Sequence, residues 1–311
     1  MIKFYAAKSA PGSDLTALDN FKTGAWIFAE SPTSKEVEQL RDDFNLDEGF
    51  LTDALDFYEV PRLEIEDDIT YIFTRVPHRD EKNRSQTTPL MIALGPAFII
   101  TISPQPLDFL NKLIAKPAGV DPARKIDLLL KILSQIVTSY DNFLFDINRS
   151  LQHKNIQLEE SHSINNKDII EFLNLEKILD DFIAALQPTK IILGGLSSGK
   201  YLNLSENDKD SAGDLLTSLN QLIVSCQSNL RMIVNIRNAY STIMTNNLNR
   251  IIKILTALTI ILSVPTIIAA FYGMNVVLPF GRSPFAFLGV AISTLIAMGI
   301  VLAVFIKNRW L

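Results

Sequence analysis

The chain has 311 residues, 48% of them hydrophobic, and a formal net charge of −5, enough for two domains or for one domain joined to a membrane part. Its single cysteine, Cys226, excludes an internal disulfide and any cysteine-based zinc cluster, and His78, His153 and His162 fall at no metal-ligand spacing. The charge is unevenly spread: all 34 acids lie at or before Asp214, whereas the 97 residues after it hold seven bases and no acid. An acidic body joined to an acid-free C-terminal part suggests an ion-attracting or sensing body attached to something in a membrane.

Residues 1–123 read as an α/β domain. The opening carries Lys3 and Lys8 but no long apolar core, so no secretory signal is expected and the N-terminus is placed in the cytoplasm. Apolar or β-branched runs at 2–6, 25–29, 69–75, 90–94 and 97–102 predict strands. Ser34 before an acidic turn predicts a helix over 34–44, and a short helix is expected at 109–116.

Residues 124–204 read as long amphipathic cytoplasmic helices, at 124–160 and 165–186, with Pro188 and 194–200 interrupting the pattern. The run from Gly194 to Lys200 fits G-x-x-x-x-G-K. Tyr201, however, stands where a phosphate loop needs Ser or Thr, and no strand precedes it, so a turn between helices is expected. The sequons at Asn148 and Asn203 fall in the part placed in the cytoplasm and are expected to stay unmodified.

Residues 205–253 form a predicted stalk helix. Leu219, Leu222, Cys226, Leu230, Ile233, Tyr240, Met244 and Asn247 recur mostly every three or four residues, a seam expected to face partner helices. No breaker separates it from the first apolar run, so one helix of about 65 residues, close to 100 Å at 1.5 Å per residue, is expected.

No residue is charged between Ile254 and Gly281, nor between Ser283 and Ile306. Each run exceeds the ~20 residues a helix needs to cross hydrocarbon. Pro279, Gly281 and Pro284 punctuate the turn between them. Two membrane helices are predicted, at 254–273 and 285–306, joined by an extracytoplasmic loop at 274–284 and followed by a basic tail at 307–311. Arg250 and Lys253 precede the first span and Lys307 and Arg309 follow the second, so the positive-inside rule puts both ends in the cytoplasm. Tyr272 and Trp310 suit the interfacial belts.

In the first span Thr256, Thr259, Ser263, Thr266, Ala270 and Gly273 follow one another at steps of 3, 4, 3, 4 and 3, continuing Asn249 and Ile252 upstream. Such a stripe suits a helix lining a shared axis, and it equally suits small-residue packing between membrane helices. The second span has no comparable stripe and is expected to face lipid.

The first span ends in Tyr272-Gly273-Met274-Asn275. With the short loop and basic tail, this resembles the CorA metal-ion transporter family, whose hallmark is Gly-Met-Asn at the outer end of the first of two C-terminal membrane helices. The resemblance implies an α/β cytoplasmic domain, a long stalk helix and two C-terminal transmembrane helices, assembled as a funnel-shaped homopentamer in the cell membrane. It implies a magnesium channel rather than an enzyme, with Mg2+ both transported and regulatory and with no nucleic-acid partner. Gly273, Met274 and Asn275 would form the selectivity filter. Asn249, Ile252, Leu255, Thr259, Ser263 and Thr266 would line the pore, with the apolar constriction at Leu255 and Ile252. Asp53, eight residues before Pro61-Arg62-Leu63-Glu64, and Asp214 would bind a regulatory Mg2+ between neighbouring subunits. Two departures from the family pattern stand out. Ser263 sits where a large apolar residue is common, and residues 276–284 lack the usual acids. A zinc, cobalt or nickel transporter of the same superfamily, or a non-conducting membrane-anchored sensor, are the alternatives.

Overall fold

A computed structural model describes residues 2–7, 15–80, 84–115, 120–161, 166–275 and 284–308. Residues 276–283 of the predicted outer loop, Arg282 among them, and the tail residues Arg309 and Trp310 lie outside the described residues. The chain divides into two units, Met1–Asn235 and Ile236–Leu311.

The first unit is built on a seven-stranded sheet in the order β2-β1-β3-β7-β6-β5-β4. Its strands are β1 (Ile2–Ala7), β2 (Leu15–Leu18), β3 (Trp26–Glu30), β4 (Arg62–Glu66), β5 (Ile69–Arg79), β6 (Ser85–Leu94) and β7 (Ile99–Ser103). Only the β3–β7 pair is parallel; every other neighbouring pair is antiparallel. The α/β body expected from sequence is present, and the predicted strands correspond to β1, β3, β5, β6 and β7. The edge strands β2 and β4 went unpredicted.

Strand parity explains why the sheet is apolar on both faces. Ile27, Ala29, Tyr71, Phe73, Met91, Ala93, Ile100 and Ile102 point to one side. There they pack with Leu40 and Phe44 of α1 (Ser34–Phe44) and Leu51 and Ala54 of α2 (Glu48–Leu55). Their neighbours point the other way. Ile72 and Thr74 meet Leu133, Ile136 and Tyr140 of α4 (Lys125–Ser161), Leu186 and Thr189 of α5 (Asn166–Ser197), and Leu219 of α6 (Glu206–Tyr272). The short helix α3 (Asp108–Ala115) corresponds to the one expected near there.

Helix ends obey local chemistry. Thr33, not Ser34, caps α1, in a box in which Thr33 Oγ1 accepts from the Glu36 amide and the Glu36 carboxylate accepts from the Thr33 amide. The Thr33 amide, with the Thr33 hydroxyl beside it, holds the Glu36 carboxyl down at about 2, the backbone bond being the largest cause. Asn45 closes the helix in the left-handed region, at φ 49°.

Two expectations need correction. Pro188 does not end α5, which runs on to Ser197. The missing N–H frees only the Ala184 carbonyl, and the buried face continues through Leu186, Ile192, Leu193 and Leu196, so packing carries the helix past the proline. The stalk seam is also not uniform. Leu219, Leu222, Cys226 and Ile233 are buried within the chain itself, whereas Met244 is 60% exposed. The upstream half of the seam serves this chain's own core.

Arg75 on β5 lies beyond Phe73, the last residue that β4 pairs on that side of the sheet. The hydroxyl of Tyr140, whose side chain is wholly buried, instead donates to the Arg75 carbonyl at 3.0 Å. Tyr140→Phe leaves that carbonyl short of a donor. Thermal unfolding of the full-length protein is expected to show a loss of about 1–2 kcal/mol, and an unshifted melting temperature would contradict this account.

Candidate functional site

The second unit consists of the C-terminal part of α6 and helix α7 (Ala286–Lys307). Both helices are long and apolar enough, by length and composition, to cross a membrane. The unbroken long helix predicted from sequence is present as α6, of 67 residues, with Pro265 inside it.

All the predicted pore residues upstream of the tripeptide lie on α6. Asn249, Ile252, Leu255, Thr259 and Thr266 are exposed in the single chain and Ser263 is half-exposed. Their hydroxyls are committed inward: Thr259 Oγ1 donates to the Leu255 carbonyl at 2.8 Å, Ser263 Oγ to Ile260 at 2.8 Å and Thr266 Oγ1 to Leu262 at 3.0 Å. Each hydroxyl hydrogen is thus spent on the helix's own backbone. What each oxygen has left to offer outward is lone pairs. The stripe is therefore a row of acceptors on an apolar helix. It suits a partner that presents hydrogens, such as the water shell of a cation.

The helix ends at Tyr272. The Gly273 amide still donates to the Ala269 carbonyl at 2.9 Å, and the Met274 amide to Phe271 at 3.3 Å. A Cβ added at Gly273 would sit 3.3 Å from the Ala269 carbonyl oxygen. Glycine therefore lets the chain leave the helix tightly. Met274 and Asn275 follow as exposed residues outside the helix.

The predicted regulatory carboxylates lie in the first unit. Asp53 is on the last turn of α2, and Asp214 is exposed near the start of α6. Asp53 is paired already, its Oδ2 lying 2.6 Å from Arg62 Nη2. Among the described residues Asp214 has no ion pair, and no three acidic, histidine or cysteine side chains gather as a metal-holding group. The donor set nonetheless fits magnesium, which keeps most of its waters and takes one or two carboxylates, provided the two acids come from different copies of the chain.

Arg62 is the residue that sequence reasoning missed. Pro61-Arg62-Leu63-Glu64 served there only as a landmark for Asp53, although an arginine nine residues beyond an aspartate and beside two glutamates was signal enough to ask what it pairs with.

The family model described as "CorA-like Mg2+ transporter protein" matches residues 21–307. The cobalt/magnesium transport protein CorA of Methanocaldococcus jannaschii is 27% identical over 294 residues, covering 92% of this chain and 91% of that protein. The magnesium transport protein CorA of Helicobacter pylori is 27% identical over 208 residues, covering 64% of this chain and 63% of that one. The fold is shared with the complete structure of the CorA magnesium transporter from Methanocaldococcus jannaschii, at a TM-score of 0.88 and 24% identity over 100% of this chain and 99% of that chain. The chain thus belongs to the CorA-like Mg2+ transporter family, and it is a membrane-embedded metal-ion transporter rather than an enzyme.

Proposed function

We propose that this chain forms a magnesium channel that admits Mg2+ with its water shell, down the electrochemical gradient, and that cytoplasmic Mg2+ closes. The single observation that carries this reading is the acceptor row on α6, Thr259, Ser263 and Thr266 with their hydroxyl hydrogens turned back to the helix, ending in Gly273-Met274-Asn275. Magnesium gives up its inner waters reluctantly. Neutral oxygens that accept from those waters can guide the ion without stripping it, and no carboxylate is present after Asp214 to hold it too tightly. A stripe on one helix becomes a ring only when copies surround an axis, so the reading includes a homopentamer, as the family resemblance implies. Both termini face the cytoplasm in this reading, supported by the basic flanks Arg250, Lys253 and Lys307. Import needs no coupled chemistry, because an inside-negative potential contributes about 2.3 kcal/mol per charge per 100 mV, and a dication gains twice that. Cobalt, in the name of the Methanocaldococcus jannaschii relative, is the second cargo to assay.

The tripeptide gives the first test. Asn275→Ala replaces an amide that can accept from and donate to the ion's waters with a methyl group. Magnesium flux into liposomes should fall to near background while the oligomer still assembles; normal flux would sink the filter assignment.

The apolar constriction gives the second. A ring of Leu255 side chains would close the path by excluding water. Leu255→Asn should leave a leak at high cytoplasmic magnesium. Currents that remain shut there would move the constriction, Ile252 being the next candidate.

Regulation gives the third. A dication shared by carboxylates of neighbouring subunits clamps those subunits together. Converting both Asp53 and Asp214 to Asn should weaken inhibition by internal magnesium in excised patches without abolishing conduction. An inhibition curve unchanged from the parent protein would place the sensor elsewhere.

A further inference from the structure

We propose that Arg62 is a built-in competitor for cytoplasmic magnesium at Asp53, so that the ion engages the site only above the concentration at which it displaces the guanidinium. The inference rests on the regulatory reading of Asp53 given above and adds what sets the threshold of that site.

Arg62 is the first residue of β4, and its guanidinium gathers three carboxylates. Nη2 donates to Asp53 Oδ2 at 2.6 Å, Nη1 donates to Glu59 Oε1, and Nε lies 3.7 Å from Glu64 Oε1. The same guanidinium carbon sits 4.2 Å from the centre of the Phe73 ring, a cation–π placement that fixes the plane of the fork.

The partners are not equally free to move. Glu59 is 11% exposed and also accepts from the Val60 amide at 2.9 Å, which pins its carboxylate. Asp53 is 41% exposed, on a short side chain at the C-terminal turn of α2. When the pair opens, Arg62 therefore stays, held by Glu59 and Phe73, and Asp53 turns outward. Glu59 and Glu64 continue to neutralise the arginine, so releasing Asp53 strands no charge.

The sign of the effect follows from what each species needs. A hydrated magnesium ion offers water hydrogens, so it needs the carboxylate lone pairs that Arg62 now uses. A second positive charge beside the carboxylate also disfavours the dication. Arginine stays protonated throughout the physiological range, which makes this competitor constant rather than pH-dependent. If Arg62 served only to aim Asp53, its loss would weaken magnesium binding. If it competes, its loss strengthens it.

The test uses full-length protein in detergent with magnesium chloride as the probe, reading the Mg2+ midpoint for thermal stabilisation, and the same variants in liposomes, reading flux against internal magnesium. Arg62→Gln should move both midpoints several-fold lower. Arg62→Lys should move them lower by less, since a point charge cannot hold Glu59 and Asp53 in one fork; this variant also carries the test if the glutamine protein does not fold. Asp53→Asn is the reference and should weaken the magnesium response whichever residue stands at 62. Midpoints unchanged or raised in the folded Arg62 variants, with the response weakened in Asp53→Asn, would overturn the inference and leave the regulatory reading intact. A response unaltered in Asp53→Asn would overturn both.

Discussion

A backbone polar group inside hydrocarbon costs several kcal/mol unless it is bonded within its own segment, and α6 is organised around that constraint. The helix runs from Glu206 to Tyr272, so its amides and carbonyls satisfy one another through the apolar stretch. Pro265 removes one donor and frees the Ile261 carbonyl. The hydroxyls of Thr256, Thr259 and Thr266 are absorbed by carbonyls one turn back, and that of Ser263 by the carbonyl three residues back. Side chains that would be costly as bare donors in a membrane thereby become acceptor-only groups. The same bonds leave only lone pairs pointing outward from the stripe.

Charge is handled in opposite ways in the two units. After Asp214 the chain carries no acid, so nothing on α6 beyond that point can hold a dication by direct charge. In the first unit, acids are concentrated around single bases. Arg62 draws Asp53, Glu59 and Glu64 around itself, and Lys154 bridges Asp168 and Glu171 at 2.8 Å each. Arg75 is half-buried and, among the described residues, makes no ion pair: it donates to the Glu59 carbonyl and to Thr87, and burial lowers its affinity for the proton. The loop carrying Glu59 is thus tied to β5 by Arg75 and to β4 by Arg62. That double attachment gives the region beside Asp53 a rigid floor.

Legibility varied with how local the cause was. Strands β3, β5, β6 and β7 are apolar on both faces, so they stood out as continuous runs. Strands β2 and β4 did not, because an edge strand such as Arg62-Leu63-Glu64-Ile65-Glu66 needs few apolar residues. Helix α2, eight residues long with Gly49 in its first turn, is too short for a helical period to show. Pro188 misled because propensity was weighed without the buried face on either side of it.

The sequence by itself determined the two spans, the long helix entering the first of them, and the residue order of the stripe ending in Gly273-Met274-Asn275. Each of these depends on a sum over neighbouring residues, either transfer from water to hydrocarbon or a repeat along one helix, and such sums need no knowledge of the rest of the chain. The tertiary structure alone decided that Leu219, Leu222, Cys226 and Ile233 face their own chain, that Tyr140 supplies a donor to the Arg75 carbonyl, and that Asp53 is held by Arg62. Those outcomes turn on which groups the folded sheet and helices bring within hydrogen-bond or van der Waals reach. Periodicity marks a residue as buried or paired, but the partner is fixed only when the chain closes on itself.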